Sequence, residues 1–396
     1  MEAGIVQRIF REHFAAYQRA HPLGARARWA AWNILTCRTA QQGFHVDACP
    51  QGDYRVLLPN SCKHRSCPQC GATETELWLE RRNLQALACP YFHLVFTISH
   101  ELHPLWRGNR NRFTNDLFRA AWHTLRELLG DPRWLGALPG AIGVFQSWGD
   151  ELQEHCHLHV IATAGGLDAE GRWVEADAEF LLPTAVLAAK FRGKFLAYLR
   201  KGLETAHAPD TGTPEAQGLV PPAGRSVQQC LHLLNKLGRV QWHVDIEPAY
   251  AQAAGVDKYL GRYLRRGPLS EQRIVGYDGD TLTIAYAHPE KHAQPTFALS
   301  AATFLQRLLS HVPEKGTHLV RAYGLFHPNC RGKLDAARAQ LGQPPYAPLT
   351  ELPPAQELLQ RMFPAWAGTR CPRCGAVLRT VAVFHRGQAP PMGLAA

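Results

Sequence analysis

The sequence has no run of about eighteen apolar residues, so no segment reads as a membrane-spanning helix. No apolar stretch opens the N-terminus, where Glu2, Arg8, Arg11 and Glu12 interrupt the pattern, and a signal peptide is not expected. These two absences point to a cytoplasmic chain with no membrane partner. A G-x-x-x-x-G-K-[ST] phosphate loop is missing, which argues against chemistry driven by ATP. Internal repeats are missing too, and with them a solenoid or propeller. Charge is sparse: Asp, Glu, Lys and Arg make up 19% of the 396 residues and hydrophobic residues 46%. Such a chain folds around a sizeable core, divided over two or three domains.

The charge that is present is unbalanced. Forty-three Lys and Arg face thirty-three Asp and Glu, a formal excess of +10 that attracts polyanions such as nucleic acid. Eleven cysteines in a cytosolic chain are not expected to form disulfides, and their clustering says how to read them. Cys37, Cys49, Cys62, Cys67 and Cys70 fall within 34 positions, and Cys371 and Cys374 form a separate CPRCG pair. Cys89, Cys156, Cys230 and Cys330 are scattered and read as small apolar residues. The C-x4-C-x2-C of Cys62, Cys67 and Cys70 supplies three thiolates to a tetrahedral Zn²⁺, which stabilises a small module in place of a core. Cys49 is taken as the fourth ligand, with Cys37, His45 and His64 as competitors. CPRCG is half of a zinc knuckle and needs other ligands, such as His385.

Hydrophobic periodicity predicts an α+β chain. Residues 1–36 read as helical, with Val6, Ile9, Phe10, Phe14 and Tyr17 on one face. Strands are expected from residue 91, at 143–148, at 155–166, at 239–246, and in RIVGY and TLTIAYAH. Helices are expected near 111–129, 183–204, 226–237, 257–266, 302–311 and 333–340, with a Pro- and Gly-rich loop around 207–224. Past a Pro-rich link at 343–354 come a short helix and the strand-like VLRTVAVF. The resulting segments are a helical and zinc-binding module at 1–88, a catalytic domain at 89–312 with an insertion around 205–226, and a tail at 313–396.

Two constellations carry chemistry. Residues two apart on a strand share a face, so His157 and His159 can both reach one divalent ion while Leu158 and Val160 point into the core. The plain alternative is a pair of surface histidines. If the 143–148 and 155–163 strands pair about the turn at 150–153, Gln146 lies opposite His157 and becomes the candidate third ligand. His155 shares that face. Further on, Tyr259 and Tyr263 stand at i and i+4 of an expected helix beside Arg262, Arg265 and Arg266. Alone, such a pair is more often two packed aromatics. A tyrosine oxygen can attack phosphorus when a cation lowers the cost of its ionisation, and arginines can hold adjacent phosphates.

In order along the chain, CRTAQQGFH, SCKHRSCPQC, HLVFTISHEL, HCHLHVIATAGGL, KYLGRYLRRGPLSEQRI, RAYGLFHPNCRGKL and CPRCG resemble the rolling-circle, two-tyrosine transposases of the insertion sequence 91 type, within the HUH (His-hydrophobic-His) endonuclease superfamily. The resemblance implies a ferredoxin-like core with an antiparallel central sheet and a Mg²⁺- or Mn²⁺-dependent nick in single-stranded DNA or hairpin ends. It also implies a 5′-phosphotyrosine intermediate on Tyr259 or Tyr263 and structural Zn²⁺ at the cysteine cluster. Where the family shows a C-x2-C, this chain has Cys49, Pro50, Gln51 and Gly52. A plasmid-type rolling-circle replication initiator or relaxase would share the metal and tyrosine apparatus. A catalytically inactive, domesticated DNA-binding protein would keep the fold alone.

Overall fold

A computed structural model describes residues 4–177, 179–205, 218–250, 267–286, 295–353, 355–362 and 370–388. The expected α+β class holds: helices pack on sheets whose described strand pairs are all antiparallel.

The central sheet contains β3 (Tyr91–Thr97), β4 (Leu138–Trp148), β5 (Glu154–Leu167) and β7 (Val244–Tyr250), and its order is β4-β5-β3-β7. Helix α5 (Arg110–Leu129) connects β3 to β4, and α6 (Thr184–Glu204) and α7 (Val227–Leu237) connect β5 to β7. This β-α-β-β-α-β order, with the two halves interleaved, is the ferredoxin-like arrangement. A further strand, β11 (Val320–Gly324), pairs with β4 at one edge, and β6 (Trp173–Glu175) pairs with the end of β5.

Alternation along the strands separates two faces. Phe92, Leu94, Phe96, Phe145, Leu158 and Val160 pack under α5 and α6 in the largest core, where Phe191 and Phe195 of α6 are fully buried. The opposite face is divided. Tyr91, Ile142, Val144 and Ile161 pack with Phe326 and with Leu334 of α9 (Arg331–Gln340). Its other half is left to polar side chains.

The three segments expected from the sequence exchange elements. Helices α1 (Ile5–Ala20) and α2 (Ala25–Thr36) bury Val6, Ile9, Phe10 and Ile34 against β9 (Thr281–Ala285) and α8 (Ala301–Ser310), which come from the middle of the chain. Glu271 accepts from the backbone N–H of Val6 at 3.0 Å, satisfying a free donor of the first turn of α1. Near the other end, β12 (Arg379–Phe384) pairs with β1 (Phe44–Ala48), which pairs in turn with β2 (Arg55–Pro59), so the tail completes a sheet begun in the N-terminal module. The cysteine module is thus not self-standing: Cys37 and Cys67 belong to the same apolar core as Phe10 and Phe304.

Candidate functional site

Four strands give five side chains to the polar half of the central sheet, two of them from β5. In β5, His157 and His159 alternate with Leu158 and Val160, whose burial under the helices fixes which way the histidines point. The hairpin register is the expected one, with Gln146 directly opposite His157. Strand β3 contributes His93 and β7 contributes Glu247, which are paired across those strands.

These groups form a chain of contacts. Glu247 Oε2 lies 2.9 Å from His93 Nδ1, His93 Nε2 lies 3.0 Å from His159 Nδ1, and His159 Nε2 lies 3.2 Å from Gln146 Oε1. Burial lowers the pKa of His93 below its ordinary value, so its ring is neutral at pH 7. A carboxylate only accepts, so His93 holds its proton on Nδ1 and accepts from His159 Nδ1–H. The lone pair of His159 is therefore on Nε2, facing the Gln146 amide oxygen. His157 is set in the same way, since its Nδ1 donates to the backbone carbonyl of His155 at 2.8 Å and its Nε2 keeps the lone pair.

The His157 and His159 rings are 4.6 Å apart, centre to centre. Two acceptor atoms 3.2 Å apart have the spacing of neighbouring ligands on a small divalent ion bound at about 2.1 Å. Burial also keeps both rings neutral, as ligands must be: His157 is pushed down to about 4 and His159 well below its ordinary value. The donor set of His157, His159 and Gln146 fits such an ion. His155 is exposed, and its ring lies 5.0 Å from that of His157, centre to centre.

The cysteines sort into two groups. Cys37, Cys62, Cys67 and Cys70 bring their sulfurs within 4.8 Å of one another. Cys37, at the end of α2, takes the fourth place expected for Cys49, which lies instead 3.4 Å from Cys374. The competitor His64 turns its Nδ1 to the backbone N–H of Ser66 at 3.1 Å, and His45 Nδ1 lies 2.9 Å from the Asn60 side chain. Tyr259, Tyr263, Arg262, Arg265 and Arg266 lie outside the described residues.

Sequence comparison decides the family. Residues 140–333 match the family model described as "Putative transposase", and residues 9–98 match the "Transposase zinc-binding domain". The chain is 32% identical over 392 residues to "Putative transposase y4qJ" of Sinorhizobium fredii, covering 97% of this chain and 96% of that one. The chain belongs to the insertion sequence 91 family of transposases. A second relative, "Transposase for insertion sequence element IS801" of Pseudomonas savastanoi pv. phaseolicola, is 30% identical over 298 residues, 74% of this chain and 67% of the relative. No solved structure gives a significant match.

Family membership makes the transposase an enzyme acting on DNA. Its zinc-binding region contains all four cysteines of the first group, and this cluster supports structural Zn²⁺. Among the described residues, no helix is long and apolar enough to cross a membrane.

His93 and Glu247 were not singled out from the sequence. The signal was present, since His93 interrupts an apolar strand and Glu247 alternates onto the same face. Their contacts predict an effect on the transposase. Replacing Glu247 with alanine frees the His93 ring to turn, and the affinity of the histidine site for Mn²⁺ should fall roughly 10–100-fold. Calorimetric titration of both proteins checks this, and equal affinities would show that the chain of contacts does not orient His159.

Buried histidines also predict acid sensitivity. His311 bridges Ser147 Oγ at 3.1 Å and the Leu152 carbonyl at 2.8 Å, clamping the β4–β5 turn, and burial pushes it down to about 4. The unfolded chain takes up these protons near pH 6.5, whereas the folded chain resists them down to about pH 4. Stability is therefore complete above about pH 6.5 and lost as the pH falls toward 4. His157 and His311 each contribute on the order of 3 kcal/mol to that loss. Urea midpoints measured from pH 7 to 4 should decline, and less steeply in His311→Gln. Parallel slopes for the two proteins would rule out His311 as a source.

Proposed function

We propose that this transposase nicks and rejoins single-stranded DNA through a tyrosine nucleophile, Tyr259 or Tyr263, in rolling-circle transposition. The observation that carries the proposal is the buried donor set of His157 and His159 on β5, both neutral, and Gln146 on the adjoining strand β4 of a ferredoxin-like sheet. Mg²⁺ or Mn²⁺ bound there supplies Lewis-acid polarisation of the scissile phosphate. His93 and Glu247 hold His159 in its ligating tautomer, and the His155 carbonyl does the same for His157.

The described residues on either side of the tyrosine segment support this reading. The chain enters it from β7, the strand that carries Glu247, and leaves it at Gly267, which lies against Arg65 and Ser66 of the zinc module. The tyrosine oxygen loses its proton and attacks phosphorus, the P–O3′ bond breaks, and the 3′ oxygen gains a proton. The products are a 5′-phosphotyrosine ester and a free 3′-OH, and attack of a 3′-OH on the ester reverses the step without ATP. Arg262, Arg265 and Arg266 would hold the neighbouring phosphates.

The test is incubation of the full chain with a labelled single-stranded oligonucleotide from an element end and Mn²⁺. Expected is a denaturant-resistant adduct whose peptide maps to Tyr259 or Tyr263. An adduct on another residue, or nicked DNA with no adduct, would overturn the assignment.

A further inference from the structure

We propose that Cys49, Asp53, Cys371 and Cys374 form a second zinc site, one that ties the N-terminal module to the C-terminal tail. One ligand atom from each residue lies within 4.8 Å of the others. Cys49 Sγ is 3.4 Å from Cys374 Sγ, and Cys371 Sγ is 3.6 Å from Asp53 Oδ1, across separations of 325 and 318 positions. Half of this site lies outside residues 9–98, so it is distinct from the quartet of Cys37, Cys62, Cys67 and Cys70.

Local backbone geometry supports ligation. CPQGD and CPRCG are tight turns, and each has a glycine in the left-handed region, Gly52 at φ +80° and Gly375 at φ +75°. The backbone N–H of Gln51 donates to Cys49 Sγ at 3.4 Å. A sulfur-to-sulfur distance of 3.4 Å is far beyond the roughly 2.05 Å of a disulfide.

Packing alone leaves this region under-supported. Among the described residues, the apolar cluster at the site buries Cys49, Cys371 and Leu378, with Tyr54, Val56 and Ala376 partly buried beside them, and Val381 and Val383 of β12 are 61% and 50% exposed. A three-stranded sheet with one face this open gains from another constraint. Three sulfurs and one carboxylate suit tetrahedral Zn²⁺, and binding would release the thiol protons to solvent. The carboxylate is the hardest of the four donors, so Asp53→Cys should tighten the site.

The test compares zinc content of the full chain, purified under reducing conditions, with that of the Cys371→Ser, Cys374→Ser double variant. Expected is a loss of one zinc per chain, and an unchanged content overturns the proposal. If the double variant does not fold, the wild-type chain and Asp53→Cys are loaded with Co²⁺ instead. Their ligand-field bands should move toward those of a four-sulfur site in Asp53→Cys, and identical spectra overturn the proposal. A disulfide between Cys49 and either tail cysteine in the reduced, metal-loaded protein does so too.

Discussion

Replacing His157 with alanine should lower DNA strand cleavage on the order of 10³-fold, about 4 kcal/mol in the barrier, while the fold survives. On the proposed mechanism the fall is large because a carboxamide and one imidazole would not hold a divalent ion as well as the full donor set, and charge developing on the phosphate oxygens would then have no cation against it. The fold survives because the core side of β5 is untouched: Leu158 and Val160 still pack beneath α5 and α6. His155→Ala is the matched control, being exposed on the same strand, and its cleavage should stay within a few-fold of the parent. Single-turnover cleavage of a labelled oligonucleotide in Mn²⁺, with circular dichroism of each protein, reads out both halves. Activity of His157→Ala within tenfold of the parent would remove His157 from the reaction.

The second large effect is structural. Cys67→Ser should release zinc and cost roughly 5 kcal/mol or more, comparable to the net stability of a whole domain. Cys67 is 2% exposed and sits in one core with Phe10, Leu282 and Phe304. Losing the metal there loosens the seam between α1, α2, α8 and the β9 strand as well as a surface finger. The three other sulfurs, Cys37 buried and Cys62 and Cys70 half-buried, would be left crowded together, where hydrogen bonds from neighbouring cysteines favour the thiolate on Cys37 and oppose it on Cys70. Urea denaturation followed by tryptophan fluorescence, with zinc release measured in parallel, tests this. A variant that keeps its zinc and its midpoint would show that the other ligands suffice.

Much of the site was legible because strand alternation is a strong signal. Leu158 and Val160, alternating with His157 and His159, fixed their face, and a symmetric hairpin placed Gln146 opposite His157, as the register has it. What could not be read was set by contacts between distant parts of the chain. Cys37 closes the zinc quartet because packing of α2 against α1 and α8 brings its end there, whereas sequence proximity favoured Cys49. Asp53 gave no signal until CPRCG was beside it. Strand β11 was missed as a strand because five residues between turns carry too short a pattern, and its pairing with β4 identifies it. Strands β1 and β2 were hidden in turn-rich, cysteine-rich text.

The pairing of β12 with β1 has a consequence for biosynthesis. Phe44 leaves the ribosome long before Phe384, its partner in the sheet. Until the last strand arrives, β1 is an uncovered edge, with backbone donors and acceptors that any other extended chain could capture. An element copy truncated near its 3′ end would therefore encode a product that tends to aggregate instead of a shortened but soluble enzyme, and damaged copies would silence themselves through misassembly.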